Sequence, residues 1–212
     1  MLEDKIFSHI QGTGVVAIVT LSDAAAAGPL ADALVSGGVT SVEVTLRSEA
    51  AFDAIEAIAG RQDICVGVGT VTTAAQVNEA LARGAKFVVS PGFSAEVVSR
   101  SLELEAWVIP GVATATEVQS AITFGLQRLK LFPAEIVGGL GFLDALFGPF
   151  PDIEFMPSGG VSLQNVGGYL ARPNVFAAGC SWIAPRAMIS SHSFERIAAA
   201  ARAAVAAAAV RP

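Results

Sequence analysis

Lysine, histidine, cysteine and tyrosine are all scarce in this chain of 212 residues, which has three Lys, two His, two Cys and one Tyr. The two cysteines, Cys65 and Cys180, cannot supply a disulfide framework or a multi-cysteine zinc site. His9 and His192 stand near opposite ends, which argues against a His-rich metal centre. Thirteen basic residues face nineteen acidic ones, for a formal net charge of -6, and no basic run occurs. Nucleic acid, which needs clustered Lys and Arg to displace counterions, is therefore not an expected partner. With 53% hydrophobic and 15% charged residues, the chain is too apolar to be disordered. Yet no stretch of about twenty apolar residues runs free of Gly, Pro or charge, apart from an Ala-rich tail that Arg202 interrupts, so no membrane span is expected. The leading MLEDKIFSHI is too acidic for a signal peptide. The class that remains is a soluble, cytoplasmic domain with a large core, read as one domain over residues 1–212.

Short apolar runs recur along this chain: VVAIVT (15–20), SVEVTL (41–46), CVGVGT (65–70), FVVSPG (87–92), WVIPGV (107–112), RLKLFP (128–133), IEFMPS (153–158) and VFAAGC (175–180). Each is rich in Val, Ile or Phe and ends in small or turn-forming residues, as buried parallel strands do. Ala- and Leu-rich segments of helical periodicity separate them. Gly37 and Gly38 mark one helix end, and Ser48, Thr73 and Ser162 are candidate N-caps. Thr114 with Glu117 matches a capping box. A leading helix over 2–10 and a long final helix over 194–210 complete the pattern. An open doubly wound sheet would show a G-x-G-x-x-G turn after its first strand, where this chain has TLSDAAAAG. The expected fold is a single (β/α)8 TIM barrel, with the leading helix packed against one end.

Within that frame, strand alternation makes polar residues informative. In VEVTLR, Val42, Val44 and Leu46 share one face, so Glu43, Thr45 and Arg47 point inward. Glu43 and Arg47 are roughly 13 Å apart along an extended strand and cannot pair directly. In RLKLFP, Leu129 and Leu131 face the helices, so Lys130 points inward with Arg128 and Phe132. Lys5 and Lys86 are expected in water; Lys130 alone lies inside an apolar strand. A buried ammonium costs several kcal/mol unless it is neutralised or paired. A neutral amine is a nucleophile for carbonyl carbons. A structural Lys130–Glu43 pair is the alternative. PSGG and AGCS, after the last two strands, offer backbone N–H groups suited to a phosphate. Met156 and Trp182 read as packing.

VEVTLR, VGVGTV, VVSPG, IPGVATATE, LKLFPAE, PSGGVS and CSWIAP, in this order along nearly the whole chain, resemble the 2-keto-3-deoxy-6-phosphogluconate and 4-hydroxy-2-oxoglutarate aldolase family. The resemblance implies a homotrimeric class I aldolase that cleaves the phosphorylated keto-acid to pyruvate and glyceraldehyde 3-phosphate. Lys130 would form the Schiff base and Glu43 would relay protons. Arg47, Thr70, Pro91 and Phe132 would hold the pyruvyl group. Ser158, Gly159, Gly160, Gly179, Cys180 and Ser181 would bind phosphate. No metal or other cofactor is implied. Ser158 stands where the family usually has Thr, and Cys180 where it usually has Gly. Cys disfavours positive φ, so weaker phosphate binding and a preference for a non-phosphorylated keto-acid follow if the turn needs that conformation. A preference for the galactonate epimer also stays open. So does an isomerase, epimerase or decarboxylase on the same phosphate-binding frame, although these do not need a strand Lys beside a strand Glu.

Overall fold

The computed structural model describes residues 2–209, with side chains described from residue 6 onward. The side chain of Lys5 and the end of the final helix at residue 210 lie outside the described residues.

Among the described residues there are nine strands: β1 (Val15–Val19), β2 (Ser41–Thr45), β3 (Cys65–Gly69), β4 (Phe87–Val89), β5 (Trp107–Ile109), β6 (Gly111–Val112), β7 (Arg128–Leu131), β8 (Glu154–Pro157) and β9 (Ala178–Cys180). All described pairings are parallel. They form one six-stranded sheet, in the order β5-β4-β3-β2-β1-β9, and one three-stranded sheet, β6-β7-β8.

The expected closed eight-stranded barrel is thus not what forms. Two local features account for the difference. The run 107–112 breaks at Pro110, which has no N–H for a ladder, so β5 joins the large sheet and β6 the small one. On the other flank, β8 and the segment around β9 touch only through isolated bridges, Phe155 to Val175 and Ser158 to Gly179.

Helices cover the outer faces: α1 (Leu2–Thr13), α2 (Ala27–Ser36), α3 (Ala51–Ala59), α4 (Ala74–Ala82), α5 (Ala95–Glu103), α6 (Ala115–Thr123), α7 (Gly139–Phe147), α8 (Val166–Leu170), α9 (Arg186–Ser190) and α10 (Phe194–Ala208). Thr73 caps α4 by accepting from Gln76 N–H. Thr114 caps α6, and Glu117 reaches back to accept from Ala113 N–H at 2.8 Å. Ser48 and Ser162 do not cap: α3 starts after Ala50 and α8 after Asn165, and Asn165 accepts from Ser162 N–H. Ser94, not singled out by the sequence, caps α5.

Strand alternation sorts the apolar residues into two clusters. Val15, Ala17, Val42, Val44, Val66, Val68, Leu129 and Leu131 belong to the large cluster, together with the buried faces of the helices. Val16, Phe87, Val89, Trp107, Ile109, Met156 and Phe176 form the second, with Ile6 and Ile10 of α1 seated among them. Each fully buried large apolar side chain contributes about 1.5–3 kcal/mol. The leading helix therefore closes one end of the interior. His9 anchors it at Thr40 O, 2.8 Å away, and the Arg128 guanidinium stacks 3.5 Å above the Phe7 ring.

Candidate active site

Val42 and Val44 belong to the helix-facing cluster, as do Leu129 and Leu131. Glu43 and Lys130, one residue out of phase, turn to the opposite side of their strands. There the Lys130 Nζ donates to both carboxylate oxygens of Glu43, at 3.0 and 3.2 Å. Lys130 is 6% exposed and Glu43 1%. Removing either partner of such a buried pair costs about 3–5 kcal/mol, because the other charge is left uncompensated.

Missing side chains make room for this pair. In register, Glu43 faces Gly67, and Thr45 faces Gly69. A Cβ on Gly69 would occupy the space of the Glu43 carboxyl, and one on Gly67 would enter the Phe87 ring. The sequence signal was the alternation itself, since VGVG removes side chains from one strand face only. Thr70 follows at φ 62, a left-handed conformation that is strained for a β-branched residue.

The other pyruvyl candidates divide between two neighbourhoods. The Phe132 ring centroid lies 5.6 Å from Lys130 Nζ, and a Cβ on Gly159 would come within 3.2 Å of that ring. Phe132 thus stands between the amine and the glycine turn. Pro91 is half-buried, and its carbonyl fills the space beside Gly111, which pairs with Lys130. Arg47 lies just beyond the end of β2 and is exposed. It lines a cleft of about 340 Å³ with Ile18, the register partner of Glu43, and with Thr20, Ser181, Ala184, Pro185 and Arg186. Thr20 joins Thr45 through a hydroxyl hydrogen bond of 2.7 Å, and Thr45 donates to Val19 O.

The glycine turn is left-handed at both positions, with Gly159 at φ 88 and Gly160 at φ 84. Ser158 is buried and bridges to Gly179. A Cβ on Gly179 would collide with Ser158 and Ile18, so only glycine allows that approach. Cys180 does not take the positive φ that would have strained it. It closes β9 with its side chain buried in the helix-facing cluster. The cysteine therefore imposes no strain on the turn. Burial pushes its thiol up to about 12. Ser181 is exposed at the cleft.

Beneath the turn, the hydroxyl of Tyr169 donates to Glu135 Oε1, and the Glu135 side chain packs where a Cβ on Gly160 would sit. Burial and the Glu135 carboxylate both push the Tyr169 hydroxyl well above its ordinary range. Sequence reasoning passed over this pair, as it did Thr20 and Arg186, because each partner is unremarkable until the fold brings it to the rim. Among the described residues, no three of His, Cys, Asp and Glu gather where they could hold a metal ion.

A family model described as KDPG and KHG aldolase matches residues 6–200. The 2-dehydro-3-deoxy-phosphogluconate aldolase of Treponema pallidum is 43% identical over 197 residues, covering 92% of this chain and 93% of that protein. A solved structure of the 2-keto-3-deoxy-6-phosphogluconate aldolase of Zymomonas mobilis, with 3-phosphoglycerate, has a TM-score of 0.89 at 33% identity, covering 99% and 98% of the two chains. The KDPG aldolase of Legionella pneumophila, with pyruvate captured as a covalent carbinolamine, has a TM-score of 0.89 at 36% identity, covering 93% and 96%.

Proposed function

This chain belongs to the KDPG and KHG aldolase family, and we propose that it reversibly cleaves 2-keto-3-deoxy-6-phosphogluconate to pyruvate and glyceraldehyde 3-phosphate through a Schiff base on Lys130. It is a lyase that needs an amine nucleophile and a mobile proton, and the Lys130–Glu43 contact at 3.0 Å carries the reading.

Glu43 takes a proton from Lys130, and the neutral amine adds to the keto carbon of the substrate. The resulting carbinolamine loses water when Glu43 returns a proton to its hydroxyl, which leaves a protonated imine. Glu43 then accepts the proton of the β-hydroxyl. The adjacent carbon–carbon bond breaks, and its electron pair moves into the imine as an enamine. The aldehyde leaves, the enamine carbon takes back a proton, and water releases pyruvate from the lysine. One carboxylate within reach of the nitrogen serves each transfer in turn.

Thr70 and Arg47 hold the pyruvyl oxygens, while Pro91 and Phe132 shape the apolar side of the pocket. Ser158, Gly159, Gly160, Gly179, Ser181 and the Cys180 backbone cradle the phosphate. The positive φ of the two adjacent glycines supports that part. 4-Hydroxy-2-oxoglutarate, which yields pyruvate and glyoxylate, is a second substrate by the same chemistry. We read residues 1–212 as one domain that works in the cytoplasm as a homotrimer without metal or other cofactor. Exposed Leu102, Leu104, Ile122 and Phe147 support self-association. No helix among the described residues is long and apolar enough to cross a membrane.

Borohydride reduction in the presence of pyruvate, followed by peptide mapping, tests the reading. It requires a pyruvyl mass on Lys130. An unmodified Lys130 in an active enzyme would overturn it.

A further inference from the structure

The arginines of this chain fall into distinct settings. Arg61, Arg83, Arg100, Arg128 and Arg172 each contact a carboxylate within 3.1 Å. Arg47 and Arg186 instead line the 340 Å³ cleft, and none of its lining residues is acidic. Among the described residues the Arg47 guanidinium has no hydrogen-bond or ion-pair partner. The Arg186 guanidinium makes one described contact, donating from Nε to Ser22 Oγ at 2.8 Å. In a protein of net charge -6, two guanidiniums facing one cleft without a carboxylate mark a place prepared for an anion.

Ser181 joins this cleft to the phosphate turn. It lines the cleft and follows β9, whose Gly179 bridges to Ser158 just before Gly159 and Gly160. The turn presents backbone N–H groups from one side. Arg186 lines the same cleft as Ser181 and is anchored through Nε to Ser22 in the loop after β1, which leaves both terminal nitrogens of its planar fork for two oxygens of one anion.

We propose that Arg186, positioned by Ser22, is a specificity-determining residue that grips the terminal phosphate and selects phosphorylated over non-phosphorylated 2-keto acids. This assignment rests on the aldolase reading above. A dianionic phosphate repays a guanidinium at the rim, whereas a neutral hydroxyl at the same end of the substrate does not.

The test compares wild type with Arg186→Met, Arg186→Lys and Ser22→Ala on 2-keto-3-deoxy-6-phosphogluconate and on its non-phosphorylated counterpart. Pyruvate trapping on Lys130 and thermal melting are run on every variant. Arg186→Met should lower the ratio of kcat/KM for the phosphorylated over the non-phosphorylated substrate by about tenfold, chiefly through KM. Arg186→Lys should recover part of that ratio, because charge returns without the fork. Ser22→Ala should move the ratio in the same direction by less. A pyruvyl adduct on Lys130 together with an unchanged ratio would overturn the assignment and leave the aldolase reading standing. Absence of the adduct in wild type would overturn both. A folded Arg186→Met protein whose two substrates suffer equally would make Arg186 merely structural.

Discussion

Lys130 and Glu43 belong to different sheets, yet the lysine nitrogen lies 3.0 Å from the nearer carboxylate oxygen. The same contact thus serves the chemistry of the site and links the two sheets. Lys130→Met should abolish cleavage and also lower stability by about 3–5 kcal/mol, since Glu43 is left buried and unpaired. The double variant Glu43→Leu, Lys130→Met should regain most of that stability while staying inactive. Urea denaturation of the three proteins checks this; a double variant no more stable than the single one would refute it.

Gly69→Ala should damage activity more than folding. Its Cβ would take the space of the Glu43 carboxyl, so the carboxyl must swing away from Lys130. A displacement of about 1 Å at a reacting group is enough for a loss of about a hundredfold in kcat. Gly67→Ala, which would strike the Phe87 ring instead, serves as the comparison. It should cost about 1–3 kcal/mol of stability through overpacking, with a smaller loss of kcat. Turnover and melting measured side by side separate the two.

Thr70 is held at φ 62. Thr70→Gly removes about 1–2 kcal/mol of backbone strain but adds flexibility to the unfolded chain, so stability should change by less than about 1 kcal/mol. Pyruvate binding should nevertheless weaken about tenfold if the hydroxyl holds a pyruvyl oxygen. The KM for pyruvate in the condensation direction reads this out. Weakened folding without a change in KM would make Thr70 a structural residue.

The thiols give a pH signature. Burial pushes Cys65 up to about 11 and Cys180 up to about 12, from the ordinary 9.0. Below pH 9 both states hold these protons, and the thiols contribute no pH dependence. Between pH 9 and 12 the unfolded chain releases protons that the folded chain retains, so stability falls as pH rises. The melting temperature should drop across that window, and Cys65→Ala, Cys180→Ala should flatten the drop relative to its own value at pH 8. Iodoacetamide at pH 8 should modify neither thiol until the chain is unfolded.

Strand positions and the phase of VEVTLR and RLKLFP were legible in the sequence, because alternation is a local rule, and they placed Glu43 and Lys130 on the inner side. Arg47 lies past the strand end at Thr45, where alternation no longer dictates a side, and it lines the cleft with Ile18 and Thr20. Ring closure was not legible either. It depends on whether each neighbour offers a free N–H, and Pro110 together with the sparse contact beside β9 decided it. The condition attached to Cys180 could not be settled from the sequence for a related reason. A residue type does not reveal its φ, and this cysteine is still in extended strand where the turn was expected to have begun. Arg186 and Ser22 are 164 positions apart, beyond any local pattern.

The scarcity of tyrosine has a practical consequence. Tyr169 is the sole tyrosine of the chain, is fully buried, and bonds to the Glu135 side chain that packs under Gly160. Its tyrosine-specific NMR signals can therefore be assigned without mutagenesis to a position directly beneath the Gly159–Gly160 turn. A phosphorylated ligand that tightens the turn should shift those signals, and a non-phosphorylated one should shift them less. The chain thus carries a single intrinsic reporter beside that turn.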